Sequence, residues 1–176
     1  MGKIYVIRHG ETDVNVKNQI NGRNDGMLNE VGINQAKKVW INSLDIDFII
    51  CSPLERTKQT CKYLNTENKA VLYDDRLMER DAKSMQYKLV EELDLNVWYD
   101  KKKDIVYDDS EGFGSVLKRV YRLLDEIKDN YSSSKILLVT HGDVCRAIHM
   151  YFNADTYLYD ISKFEMKNCE ICEYEF

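Results

Sequence analysis

The chain has 176 residues, 44% apolar and 31% charged, enough for one sizeable core without disulfide or metal staples. A net charge of -5 argues against nucleic acid as the partner, and no apolar run approaches the ~20 residues of a membrane span. The start, Met1 to Ile7, carries no apolar signal region with a small-residue cleavage site, and Val6 stands where a myristoylation signal wants Ser or Thr. Five cysteines are scattered at positions 51, 61, 145, 169 and 172 and are expected to be reduced, structural thiols in a cytoplasmic setting. Cys169 and Cys172 form a lone C-x-x-C without the second pair a zinc site needs.

Along the chain, Lys3 to Ile7 is a short apolar run rich in β-branched and aromatic residues, and predicts a buried strand. Gly10 to Asn29 has no period and predicts a long functional loop. Ile33, Ala36, Val39, Trp40 and Leu44 recur at helical spacing, with Asn29 as N-cap. Phe48 to Cys51 reads as a second strand. Ser52-Pro53-Leu54-Glu55 then predicts a helix start, with Ser52 as N-cap, Pro53 at the first helical position and Glu55 closing a capping box. Its inner stripe is Leu54, Thr57, Cys61 and Leu64.

Ala70 to Tyr73 predicts a third strand, and residues 77 to 112 an irregular cap-like segment with one helix around Leu89 to Leu95. A long helix follows with Val116, Val120, Leu124 and Ile127 on one face. After a Ser132-Ser133-Ser134 break, Lys135 to Thr140 is the strongest strand. Gly142 or Asp143 is expected to cap a helix through Val144, Ala147, Ile148 and Tyr151, and the tail from Cys169 to Phe176 to form a closing edge strand. The order predicts an α/β fold: a single domain over residues 1–176, a three-layer sandwich whose mainly parallel sheet is covered by helices on both faces, with a small cap.

Ligands of such sheets bind beyond the carboxyl ends of the strands. There the sequence puts Arg8-His9-Gly10-Glu11-Thr12, Ser52-Pro53-Leu54-Glu55-Arg56 and His141-Gly142-Asp143. Of three histidines, two hold the same strand–His–Gly position, while His149 falls within a predicted helix and reads as structural. A phosphoryl group in transfer spreads charge over its equatorial oxygens and needs fixed cations and N–H donors. Arg8 and Arg56 suit it, because a guanidinium binds two phosphate oxygens and stays charged. An imidazole such as His9 can act as nucleophile and split one hard displacement into two. Glycine after each histidine allows close backbone approach or unusual dihedrals.

These residues resemble the histidine phosphatase superfamily, the phosphoglycerate mutase-like proteins. The resemblance rests on Arg8-His9-Gly10-Glu11-Thr12, Asn15, Gly22-Arg23-Asn24-Asp25, Leu28 to Ala36, Ser52 to Thr60, Leu77-Met78-Glu79 and Val139-Thr140-His141-Gly142. It implies that His9 is the phosphoacceptor and that Arg8, Arg56 and His141 form the phosphate pocket, with Asn15 and the Gly142 amide as helpers. Glu79 matches the family's proton donor, expected to carry a raised pKa from partial burial beside a neutral His9. No metal and no cofactor are expected. No P-loop G-x-x-x-x-G-K-[ST] occurs.

The chain departs from the family pattern after Glu79. Relatives often continue E-R-D-F-G-x-L-E-G, whereas here Lys83 and Tyr87 replace the glycines and Gln86 the glutamate. The backbone beside Glu79 is therefore expected to differ. Mutases in the family resemble longer chains with insertions that keep water out, so a short cap favours hydrolysis of a small phosphorylated metabolite. Mutase-type transfer and a phosphate-ligand binding module without turnover are the alternatives. The substrate and oligomeric state are not readable from sequence.

Overall fold

The computed structural model describes residues 2–41, 44–64, 69–153 and 160–176. Five strands form one sheet in the order β3-β2-β6-β1-β7. These are β1 (Lys3–Arg8), β2 (Phe48–Cys51), β3 (Val71–Tyr73), β6 (Lys135–Thr140) and β7 (Ile171–Glu175). All pair in parallel except β7, which runs antiparallel along β1. A two-stranded ribbon of β4 (Ile105–Val106) and β5 (Ser110–Glu111) stands apart. Among the described residues no helix is long and apolar enough to cross a membrane.

Successive strand side chains point to opposite faces, and this alternation builds two cores. Ile4, Val6, Ile136 and Leu138 face α5 (Phe113–Asn130) and α6 (Gly142–Phe152). Tyr5, Ile7, Leu137 and Val139 face the layer holding α2 (Glu30–Lys38) and α3 (Glu55–Tyr63). Central strands buried on both faces need the unbroken Ile-Leu-Leu-Val run of β6. The stripe of α5 falls where its spacing puts it, with Val116, Val120, Leu124 and Ile127 buried. Each such side chain contributes about 1.5–3 kcal/mol by leaving water. Cys169 packs on one face and Cys172 on the other, both free thiols.

Several local expectations are corrected. The helix capped by Asn29, whose side chain accepts the Gly32 N–H at 2.8 Å, stops at Lys38 rather than reaching Leu44. Val39 turns extended (φ −71, ψ 122) and feeds Ile41 into the core, leaving Trp40 70% exposed. Residues 42 and 43, inside that expected span, lie outside the described residues. The long loop after His9 contains a one-turn helix, α1 (Asp13–Val16), capped by Thr12 and Asn15. At α3 the N-cap is Leu54, not Ser52, and no capping box forms; the inner stripe Leu54, Thr57, Cys61 and Leu64 is nevertheless buried. The helix expected around Leu89 to Leu95 is replaced by a 3-10 turn (Val90–Glu92) and a single turn, α4 (Leu95–Trp98).

Candidate active site

The pairing of β1 with β6 decides where the histidines go. Arg8 is in register with Thr140, so His9 and His141 leave adjacent strands side by side, with ring centroids 5.2 Å apart. The His9 N–H donates to the Thr140 carbonyl at 2.9 Å. His9 Nδ1 lies 2.7 Å from the Gly10 carbonyl, which can only accept, so Nδ1 carries the hydrogen. Nε2 is then the lone-pair nitrogen, and it accepts Arg56 Nε–H at 3.2 Å. Burial, then the charges of Arg56 and Arg8, hold the His9 pKa well below its ordinary value. His9 is therefore a neutral imidazole with a directed lone pair.

Arg56 is fully buried in the first turn of α3. Its Nη1 donates to the Asn24 carbonyl at 2.7 Å and its Nη2 to the Gly22 carbonyl at 2.8 Å. Burial pushes its pKa down to about 10, leaving it charged at neutral pH. Gly22 sits at φ +57, a left-handed position that favours glycine and aims its carbonyl at Arg56. Arg8 donates from Nη1 to the Met166 carbonyl at 2.7 Å. His141 is also fully buried and held well below its ordinary pKa, by burial first and then by Arg56. Its Nε2 is 2.7 Å from Ser52 Oγ, which also accepts the Leu54 N–H at 3.4 Å.

Glu79 faces this group from the start of the irregular 77–112 segment. Its Oε1 accepts the N–H of Arg80 at 3.0 Å and of Asp143 at 3.3 Å. Burial raises its pKa, and the second cause is the Asp143 carboxylate rather than the neutral His9 expected from sequence. Gly142 is the first residue of α6, with His141 as N-cap; neither Gly142 nor Asp143 caps the helix. A Cβ on Gly142 would lie 3.8 Å from Glu79 Oε2 and 3.9 Å from the Arg8 guanidinium carbon, so Glu79 and Arg8 both approach the start of α6. Asn15 also lines the cavity, but its Oδ1 is taken by Thr12 N–H at 3.1 Å and Thr12 Oγ1 at 3.0 Å. Of the two glycines, only Gly10 is forced by close packing: its Cβ would stand 2.5 Å from the Gly32 carbonyl oxygen.

The cavity measures about 420 Å³, and all of the expected site residues except His141 line it. Arg80, Trp98 and Tyr99 from the 77–112 segment form part of its wall. Sequence reasoning missed Arg80 and Arg146, whose guanidiniums flank Asp143 at 3.6 and 3.4 Å. It also missed Ser52 behind His141, and Asn168, whose amide donates to the His9 carbonyl at 2.8 Å. Arg80, Ser52 and Asn168 act through partners distant in sequence, and the Arg146–Asp143 pair, three residues apart in α6, reads locally as an ordinary helix-surface ion pair. Among the described residues, Arg8 Nε, Arg80 Nη2, Arg146 Nε, His141 Nδ1 and both ends of the Asn21 amide are buried without a hydrogen-bond partner. Lys83 and Tyr87 take left-handed backbone at φ 43 and φ 65, the conformation that the glycines of the resembling pattern would favour.

Comparison with known proteins agrees with this architecture: residues 4–176 match the histidine phosphatase superfamily (branch 1). The chain belongs to that superfamily. It is 28% identical over 183 residues to phosphoserine phosphatase 1 of Hydrogenobacter thermophilus, covering 99% of this chain and 85% of that protein. A probable phosphoglycerate mutase of Yersinia pestis is 30% identical over 154 residues, 81% of this chain and 70% of its own. Among solved structures, the phosphoserine phosphatase of Entamoeba histolytica in complex with 3-phosphoglyceric acid superposes with a TM-score of 0.83 at 26% identity, covering 98% of this chain and 90% of that one. The α/β fold with a mainly parallel sheet is that of these superfamily members.

Proposed function

We propose that this chain is a phosphomonoester hydrolase that works through a phosphohistidine at His9. The observation that carries the reading is the fixed tautomer of His9, with Nδ1–H on the Gly10 carbonyl and the Nε2 lone pair facing Arg56. In the first step Nε2 attacks phosphorus, and the P–O bond to the leaving group breaks. Arg8 and Arg56 hold the equatorial oxygens, with the Gly142 amide at the N-terminus of α6 and the Asn15 amide as further donors. A Ser52 hydroxyl donating to His141 Nε2 leaves the hydrogen on Nδ1, making His141 another donor. Oxygens of a bound phosphoryl group would supply acceptors for the buried, unpartnered Arg8 Nε and His141 Nδ1.

Glu79, whose pKa is raised by burial and then by Asp143, gives its proton to the departing alkoxide. As a carboxylate it then takes a proton from water, whose oxygen attacks the phosphohistidine to release phosphate and restore His9. The protein's own arginines supply the positive charge, so the reading assigns no metal. It treats residues 1–176 as one domain in the cytoplasm, with 77–112 as a cap over the site, and takes a small phosphorylated metabolite as substrate. The short cap supports hydrolysis over mutase transfer, because a mutase must keep its phosphoenzyme dry.

Release of inorganic phosphate from a panel of phosphate monoesters, with chelator present, tests the reading. Wild type is expected to turn over and trap phosphate at His9, and His9→Ala is expected to lose at least ~10³-fold. Full activity in His9→Ala would reject it. Phosphoryl transfer to phosphoglycerate in place of release would identify a mutase.

A further inference from the structure

The loop from Gly22 to Asn24 touches both halves of the site. The carbonyls of Gly22 and Asn24 hold the two ends of the Arg56 guanidinium. The residue between them, Arg23, sends its side chain the other way. Its Nε donates to the backbone carbonyl of Glu79 at 3.0 Å and its Nη2 to Glu111 Oε2 at 3.2 Å. Glu111 in turn straddles the backbone after Glu79. Its Oε2 accepts the Asp81 N–H at 3.0 Å, its own N–H donates to the Asp81 carbonyl at 2.8 Å, and its carbonyl accepts Arg80 Nε–H. Arg119 fixes Glu111 from behind, with Nε to Oε1 at 2.8 Å. The backbone from Glu79 to Asp81, just ahead of the left-handed residues 83 and 87, is thus tied down by Arg23 of the loop after α1 and by Glu111, which Arg119 of α5 holds.

We propose that Arg23 is a positioning residue that sets the distance between the phosphate pocket and the proton donor, through Arg56 on one side and Glu79 on the other. The proposal rests on the reading of Glu79 as the acid that protonates the leaving group. Arg23 itself touches no reacting atom. Its side chain is only 31% exposed and its charge is met by Glu111, so it is committed to this bridge rather than to solvent. If the bridge is cut, Arg56 and the phosphate contacts stay, because the loop carbonyls that hold Arg56 belong to the backbone. What drifts is the Glu79 carboxyl relative to the leaving oxygen.

The chemistry supplies a selective readout. A p-nitrophenolate leaves without a proton, whereas an alkoxide such as that of glycerol phosphate needs one. The measure is kcat/KM, which covers steps up to departure of the alcohol and excludes hydrolysis of the phosphoenzyme. Arg23→Ala is expected to lose about 10- to 100-fold on the alkyl ester, as for a catalytic group misplaced by about an ångström, and no more than about 3-fold on the aryl ester. Arg23→Lys, which keeps the charge but cannot reach both Glu79 and Glu111, is expected to fall between wild type and alanine on the alkyl ester. It also serves if Arg23→Ala does not fold.

Glu79→Gln on the same two esters separates the two claims. A leaving-group-dependent loss in Glu79→Gln with equal losses on both esters in Arg23→Ala and Arg23→Lys would overturn the positioning role alone. Equal losses in Glu79→Gln would remove Glu79 as acid, and the positioning role with it.

Discussion

Gly10→Ala is the substitution that most directly tests how packing sets the His9 nucleophile. Gly10 donates its N–H to Thr60 Oγ1 at 3.0 Å and accepts His9 Nδ1–H at 2.7 Å. A Cβ there would stand 2.5 Å from the Gly32 carbonyl oxygen, short of ordinary contact by about 0.9 Å. Rotamers cannot relieve the clash, since both partners are backbone, and Gly32 is itself pinned: its Cβ position lies 2.2 Å from the Glu11 carbonyl oxygen. The turn after β1 must therefore shift against the start of α2. Overpacking of this kind costs about 1–3 kcal/mol. The displaced Gly10 carbonyl also turns the His9 ring, and a misplacement approaching an ångström costs on the order of 10²-fold in rate. The assay is kcat/KM on p-nitrophenyl phosphate beside urea unfolding of the same protein. Activity within about 3-fold of wild type at unchanged stability would refute both the rigidity of the corner and the need for the Gly10 carbonyl.

Other expectations follow from burial and charge. The pH–rate profile should be bell-shaped, its acid limb below pH 6.5 because His9 must be neutral and its pKa is lowered, and its basic limb above pH 4.5 because Glu79 must be protonated and its pKa is raised. Glu79→Gln should remove the basic limb, and a profile unchanged by it would reject the assignment. His9 and His141 are held neutral in the fold, so the unfolded chain binds more protons below about pH 6.5, and the melting temperature should fall as pH drops through that window. His141→Asn should flatten that fall. Leu124→Ala, at a fully buried position of α5, should cost about 2–5 kcal/mol in urea unfolding. Tyr87→Gly should be more stable than Tyr87→Ala by about 1 kcal/mol, since φ 65 lies in the left-handed region that favours glycine over alanine.

The parallel core was legible because β1 and β6 are continuous apolar runs, and such runs have few ways to be buried. Once those strands are neighbours, His9 and His141 must meet, which is why two residues far apart in the chain could be read as one site. Motif resemblance added Glu79. What stayed hidden depends on contacts without a local pattern. The end of α2 at Lys38 is set by Ile41 reaching the core, and no glycine or proline announces it. Ser52 has every mark of a helix cap, yet α3 starts only after Leu54 and the Ser52 hydroxyl lies against His141. The 77–112 segment and its approach are built of 3-10 turns, a single helical turn and two-residue strands, too short for any period to show. Arg23, Arg80 and Arg146 look like surface charges until their carbonyl and carboxylate partners are seen.

The segment before β7 has a consequence for when this protein can become active. Met166 holds Arg8, Asn168 holds the His9 carbonyl, the Cys169 N–H donates to the Arg8 carbonyl, and β7 then seals the open edge of β1. The corner begun by the earliest strand is finished by residues more than 150 positions later. During synthesis, a chain grown only as far as Glu165 holds β2, β3 and β6 but has an unpaired β1 edge and an unbraced Arg8–His9 turn. Turnover is therefore expected only once residues 166–175 have folded back onto β1 and the Arg8–His9 turn. Removing the residues from Met166 onward is expected to abolish it while leaving most of the core in place.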